Sequence, residues 1–200
     1  MIIGLSGKTG TGKSTIALNI ADMITEQGGR AEILPFALVL KRECARRFGF
    51  PLGLALSQEG KSEIIFHPEL PSGCMTIRRI LQWYGTDICR KQDPNHWVKI
   101  MSILVDGIKS GTTIIIDDIR FPNEADFVLD RGGFLVRVHP YAGWQPTPEA
   151  KHESETIFDD WPYNQLRLWH FEIYPEHGRE QLFDCARQII RALREWQEHR

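Results

Sequence analysis

Residues 7–14 read Gly-Lys-Thr-Gly-Thr-Gly-Lys-Ser, a segment whose residue types suit a chain of phosphates. The segment matches GxxxxGK[ST] in full. It follows the apolar run Ile2–Ser6 and opens a helical run from about Lys13 to Gln27, which is the context the motif requires. Glycines let the backbone curl so that several N–H groups point inward at phosphate oxygens. The helix N-terminus adds partial positive charge. ATP is therefore expected along Gly7, Gly10, Thr11, Gly12, Lys13, Ser14 and Thr15. Lys13 would reach the β- and γ-phosphates, and the Ser14 hydroxyl would ligate Mg²⁺.

A second acid belongs to such a site. Asp117 and Asp118 end the run Thr112–Asp118, whose three consecutive isoleucines suit a strand buried on both faces. Carboxylates at the C-terminal tip of a parallel strand lie on the ligand side of the sheet. Alternation sends the two acids to opposite faces. Asp118 is preferred as the magnesium partner, and a solvated strand-end acid is the alternative.

A small P-loop domain with several arginines outside the loop suits a kinase for a small phosphorylated acceptor, which needs cations of its own because two polyanions must be brought together. In Thr76–Asp87, Arg78 and Gln82 stand four apart on one helical face. Arg can hold a monophosphate bidentately, and Gln offers a donor and an acceptor to a base edge. Gly85 is costly inside a helix, by about 1 kcal/mol, which points to a close backbone approach. From spacing alone, a solvated polar face on a core helix reads equally well.

The whole chain has 200 residues, 42% hydrophobic and 25% charged, and a net charge of −2. That excludes a disordered chain and gives no global field for nucleic acid or an anionic membrane. Cys44, Cys74, Cys89 and Cys185 form no CxxC pair, and the seven histidines show no HxxxH or HExxH pattern, which argues against a zinc ribbon. The N-terminus lacks the basic start and apolar core of a secretory peptide, so the expected location is cytoplasmic.

The elements that must position these residues alternate. Strands are expected at Ile2–Ser6, Ile33–Phe36, Thr112–Asp118, Phe134–His139 and Leu166–Ile173. Helices are expected over Lys13–Gln27, Leu38–Phe48, Thr76–Lys91, Asn95–Lys109, from Pro122 to Gly132, and at the C-terminus. Ile77, Ile80, Leu81, Tyr84 and Ile88 fall on one helical face. Residues 49–74, rich in Pro and Gly, read as loops or an insertion, and residues 140–152 as a lid loop. The pattern gives an α/β fold: one P-loop domain over residues 1–200, a parallel sheet with helices on both faces.

With these residues in view, the sequence resembles the bacteriophage-type deoxynucleoside monophosphate kinases. The resemblance rests on the P-loop, TIRRILQWYGTD (Thr76–Asp87), DPNHWVK (Asp93–Lys99), DDIRFPNEADFVLDRGGFLVRV (Asp117–Val138) and HESE (His152–Glu155). It implies ATP-dependent transfer to a deoxynucleoside 5′-monophosphate, with more than one base accepted. It places Lys41, Arg78, Gln82, Gly85, Thr86 and Trp97 in the acceptor site; discrimination against ribose needs a close wall beside the 2′ carbon, a role open to Trp97 or Tyr84. Asp118 and Arg120 match the family's acid and arginine after the central strand. Arg120 would stabilise the transferring group with Lys13, and Arg131 and Arg137 are the alternatives. The region Trp169–Pro175 departs from the family's Asn-Asp-Gly-like turn on the adenine side. The implied partners are small molecules, with no nucleic acid and no membrane, and a homodimer stays open. Two other readings also stay open: a P-loop kinase for a nucleoside or coenzyme precursor, and an ATP-binding switch that transfers nothing.

Overall fold

The apolar runs at either side of the P-loop chemistry become neighbouring central strands. A computed structural model describes residues 1–145, 156–159, 168–176 and 179–199. The chain divides into two compact units, Met1–Pro35 with Ile108–Arg200, and Phe36–Gly107.

In the first unit, β1 (Ile2–Ser6) and β2 (Arg30–Ile33) join β5 (Thr112–Ile119), β6 (Phe134–Val138) and β7 (Phe171–Ile173) in one sheet. Its order is β2-β5-β1-β6-β7, and every neighbouring pair is parallel. All five residues of β1 are buried, as a strand covered on both faces must be. One cover is α1 (Lys13–Glu26) with the C-terminal helix α7 (Arg179–Glu198). Ile16 and Ile20 of the former and Ala186, Ile189 and Leu193 of the latter share a core with Ile3, Leu5 and Val136. The other cover is α6 (Pro122–Asp130), whose Val128 packs where Gly4 lacks a side chain. The expected parallel α/β architecture is present.

The expected second strand is displaced. Strand pairing stops at Ile33, and Phe36, read from sequence as its apolar end, is buried as the first residue of the helix α2 (Phe36–Phe48). The last strand begins at Phe171, and Leu166 lies outside the described residues, as do 146–152 of the expected lid loop.

The second unit holds α2 (Phe36–Phe48), α3 (Leu52–Leu56), a 3₁₀ turn (Gly60–Ser62), the antiparallel hairpin of β3 (Ile64–Phe66) and β4 (Cys74–Thr76), α4 (Ile77–Gln82), a π-helix (Trp83–Arg90) and α5 (His96–Asp106). Residues 49–74 are thus folded rather than loop throughout. Strands of three residues are too short to show alternation, and their turn residues dominate the local composition. The single helix expected over Thr76–Lys91 is continuous but changes pitch at Trp83. Its buried residues run Ile77, Ile80, Tyr84, Gly85 and Cys89. The five-residue step from Tyr84 brings Cys89 inside, where an α-helical spacing would have placed Ile88. No described helix is long and apolar enough to cross a membrane.

Candidate active site

The phosphate loop is shaped by two glycines. Gly12, at the N-cap of α1, has φ +89°, a left-handed conformation open to glycine at little cost. Gly7 passes so close to β6 that a Cβ there would stand 2.3 Å from the Val138 carbonyl oxygen. Lys13 is buried, and its ammonium donates to the carbonyl oxygens of Gly7 at 2.8 Å and Lys8 at 2.7 Å. Its stem is therefore folded back over the loop that the motif expects it to serve. Thr11 is buried, with its hydroxyl on the Lys8 carbonyl at 2.9 Å. Ser14 is exposed and Thr15 half-buried on the first turn of α1.

The strand-end acids do not simply alternate. Gly4 pairs with Ile116 but Ser6 with Ile119, so β5 carries one residue more than β1 at Asp117–Asp118. A bulge of this kind re-aims side chains. Asp117 is 7% exposed, and its Oδ1 is buried with no hydrogen-bond donor among the described residues. Asp118 is half-buried. A buried carboxylate oxygen without a donor is unusual. It fits a site completed by a metal-bound water, so the residues present suit Mg²⁺.

The turn after β5 fixes Arg120. Glu124, 1% exposed, reaches back from α6 and accepts from the backbone N–H groups of Arg120 at 2.8 Å and Phe121 at 3.1 Å. The Arg120 guanidinium then reaches the P-loop, donating to the Thr9 hydroxyl at 3.4 Å. Arg137, on β6, donates to the Ser6 hydroxyl at 2.9 Å and to Asp159 at 3.2 Å. Both arginines stand at the phosphate edge of the sheet. Arg131 does not: it follows the C-terminal end of α6 and lies 4.2 Å over the Phe127 ring. Asp159 also pairs with Lys8, and the Trp144 indole donates to the Thr9 carbonyl at 3.0 Å. Lys8, Arg137, His139, Phe158 and Trp169 line a cavity of about 220 Å³ beside the loop. His152 lies outside the described residues.

In the second unit, the Thr76 hydroxyl caps α4 by accepting from the Arg79 N–H at 3.3 Å. Arg78, half-buried, donates to Gln58 Oε1 at 3.0 Å. The Lys61 ammonium is held below the usual lysine range, by burial first and then by the positive charges of Lys41 and Arg78. Cations from α2 and α4 are thus near enough for their charge to act on the one in the 3₁₀ turn. Sequence reasoning named Lys41 and Arg78 and missed Lys61 and Gln58, which sit in the segment it could not order. Gln82 is exposed and Thr86 half-buried on the same run of helix.

Gly85 and Trp97 occupy a different position from the one the resemblance implies. Gly85 is buried against Leu40, where a Cβ would come within 2.8 Å of Leu40 Cδ2. Trp97 is 3% exposed, and its indole N–H donates to the Gly85 carbonyl at 3.1 Å. Tyr84 is equally buried, with its hydroxyl on Glu43 at 2.6 Å. The close approach at Gly85 is a packing contact, and neither aromatic presents a wall to a ligand. Within DPNHWVK, Lys99 stands 2.7 Å from Asp93 and pulls that carboxyl below its usual range. Asp93 in turn accepts from the Asn95 N–H at 3.0 Å, a turn that starts α5.

A P-loop on a parallel sheet, with arginines at its phosphate edge, defines the P-loop kinase class. Shikimate kinase from Acinetobacter baumannii, solved in complex with shikimate, shares the fold: TM-score 0.52 at 14% identity, covering 97% of this chain and 93% of that one. The profile of the deoxynucleotide monophosphate kinase family matches residues 56–155. A protein of Acanthamoeba polyphaga mimivirus that carries the same family name is 31% identical over 153 residues, 69% of this chain and 73% of its own length. The chain belongs to the deoxynucleotide monophosphate kinase family and is a phosphotransferase.

Proposed function

We propose that this protein transfers the γ-phosphate of ATP to a deoxynucleoside 5′-monophosphate, giving the diphosphate and ADP, and accepts more than one base. The observations that carry the reading are the folded P-loop in a chain of the deoxynucleotide monophosphate kinase family, and Arg78 held by Gln58 in the second unit with the charges of Lys41 and Lys61 near enough to be felt. Burial depresses the Lys61 pKa first, and the positive charges of Lys41 and Arg78 add to it. A bound phosphate dianion opposes that shift. An acceptor with no phosphate gives the cluster no purpose.

The donor side is held by the first unit. Backbone N–H groups of residues 7–15 and the N-terminus of α1 bind the triphosphate. Ser14, with Asp117 and Asp118, would hold Mg²⁺, which neutralises charge on the phosphates when bound. Lys13 leaves the Gly7 and Lys8 carbonyls for the β- and γ-phosphates. A phosphate oxygen of the acceptor attacks the γ-phosphorus in line, and the bond to the β–γ bridging oxygen breaks. Arg120 stabilises the transferring group, with Arg137 as the second candidate at that edge. No protein nucleophile forms a covalent intermediate, because positioning and charge neutralisation supply most of the catalysis.

On the acceptor side, Arg78, Lys61 and Lys41 take the monophosphate. Gln82 reads a base edge, and its side-chain amide can flip to suit more than one base. Thr86 lies one turn further along, and Gly85 and Trp97 hold that stretch of helix in place. The test is a coupled assay of ADP formation from ATP with each common dNMP, NMP and nucleoside. Turnover with several dNMPs and none with nucleosides is expected. Turnover of nucleosides alone, or of none of the three classes, would overturn the reading.

A further inference from the structure

We infer that Glu43, Cys89 and His96 form a binding site for one zinc-class divalent cation in the second unit. The three residues come from α2, the π-helix and α5, and their donor atoms all lie within 4.8 Å of one another. Carboxylate, thiolate and imidazole together are a donor set suited to zinc. A tetrahedral zinc with bonds of about 2.0–2.3 Å spaces its donors about 3.3–3.8 Å apart. Closing the cluster therefore takes side-chain movements of about 1 Å or less.

Two independent details orient the donors. His96 Nε2 is buried, and no described residue forms a hydrogen bond with it, although Glu43 Oε2 stands 3.8 Å away. A buried imidazole nitrogen directed at a carboxylate beyond hydrogen-bond distance is a position a cation would complete. Glu43 is also fixed from behind. Tyr84 donates to its Oε1 at 2.6 Å, which leaves Oε2 on the His96 side. Outer hydrogen bonds of this kind orient metal-ligating carboxylates. The pitch change at Trp83 completes the site, because the π-turn is what brings Cys89 to the buried face. Cys89 is buried, whereas the His96 and Glu43 side chains retain 31% and 21% exposure. That leaves a path for the ion and for a water as its fourth ligand.

With a thiolate, a carboxylate and a neutral imidazole, a dication is charge-balanced. Bound there, it would tie together α2, the π-helix and α5.

The test uses the full chain purified from zinc-supplemented cells without a metal-affinity tag. Metal analysis after dialysis should give about one zinc per chain in the wild type and in a Cys74→Ser control. Cys89→Ser and His96→Gln should each give less than a tenth of that. In case a variant misfolds, the wild type is also stripped and titrated with Co²⁺. A thiolate-to-cobalt charge-transfer band that zinc abolishes is expected, as is a rise in Tm on adding zinc. Wild-type protein that retains no zinc and shows no cobalt band would overturn the inference. So would a zinc content equal to wild type in folded Cys89→Ser and His96→Gln.

Discussion

The two units carry their chemistry in opposite ways. In the first, the groups proposed for the donor phosphates lie in one contiguous loop, with Asp117, Asp118 and Arg120 added from a single neighbouring strand and turn. In the second, Lys41, Lys61 and Arg78 come from three elements spread over 38 positions of sequence. The contrast follows from what binds. A triphosphate is cradled by backbone N–H groups, which any short loop of the right shape supplies in sequence. A monophosphate in a site without such a loop needs side-chain cations, and those are free to come from anywhere the fold brings together. A contiguous site fails at one residue. A distributed site should weaken in steps.

The largest effect should come from Lys13→Ala. Removing the Lys13 ammonium should lower kcat by about 100- to 1000-fold, the scale seen when a donor to a transition-state charge is lost. The fold should survive, since the Lys13 ammonium donates to the Gly7 and Lys8 carbonyls of the loop rather than packing in the apolar core. Activity within tenfold of wild type would remove the P-loop from the mechanism.

The distributed site should respond differently. Arg78→Ala should raise KM for the monophosphate by roughly 10- to 150-fold, equivalent to about 1.5–3 kcal/mol for a charge-assisted contact, and leave KM for ATP near wild type. Lys61→Ala should act in the same direction with a smaller effect, about tenfold. The sign of its pH dependence follows from the depressed pKa. Lys61 loses its proton earlier than an ordinary lysine as pH rises. A phosphate dianion pulls the pKa back up, so binding takes up protons in that range. Monophosphate affinity should therefore fall as pH rises through the depressed pKa, and Lys61→Ala should flatten that fall. Isothermal titration in two buffers of different ionisation enthalpy would measure the uptake. Equal weakening of ATP and monophosphate by Arg78→Ala would mean the two sites are not separate.

This difference also sets how much could be read from sequence. The P-loop, its strand and its helix stand in one segment with a motif whose spacing encodes the geometry, so the loop and the elements that flank it were legible together. Asp117 and Asp118 were found as a pair, but the bulge between Gly4 and Ser6 pairings was not, because register belongs to two strands at once. Lys61 was missed for a related reason. It stands in a Pro- and Gly-rich stretch whose turn and three-residue strands carry no periodicity, and only the folded unit shows it beside Lys41 and Arg78. Cys89 and His96 gave no metal signal because their partner Glu43 is remote in sequence, and because an α-helical reading puts Ile88 inside rather than Cys89.

The smallest effect on catalysis should come from Trp97→Phe, and it tests where the acceptor unit ends its binding surface and begins its core. An aromatic ring is retained, so the edge-on packing against Tyr84 changes little. The lost group is the indole N–H, leaving the buried Gly85 carbonyl without that donor. An unsatisfied buried acceptor costs about 1–3 kcal/mol. A fall in Tm of several degrees is expected. Because Trp97 is behind Gly85 rather than at the surface, KM for dGMP and for GMP should shift together, leaving their kcat/KM ratio within about twofold of wild type. A selective gain of GMP turnover would show that the ring itself faces the sugar. It would make Trp97 a binding residue, and the boundary drawn at Gly85 would move inward.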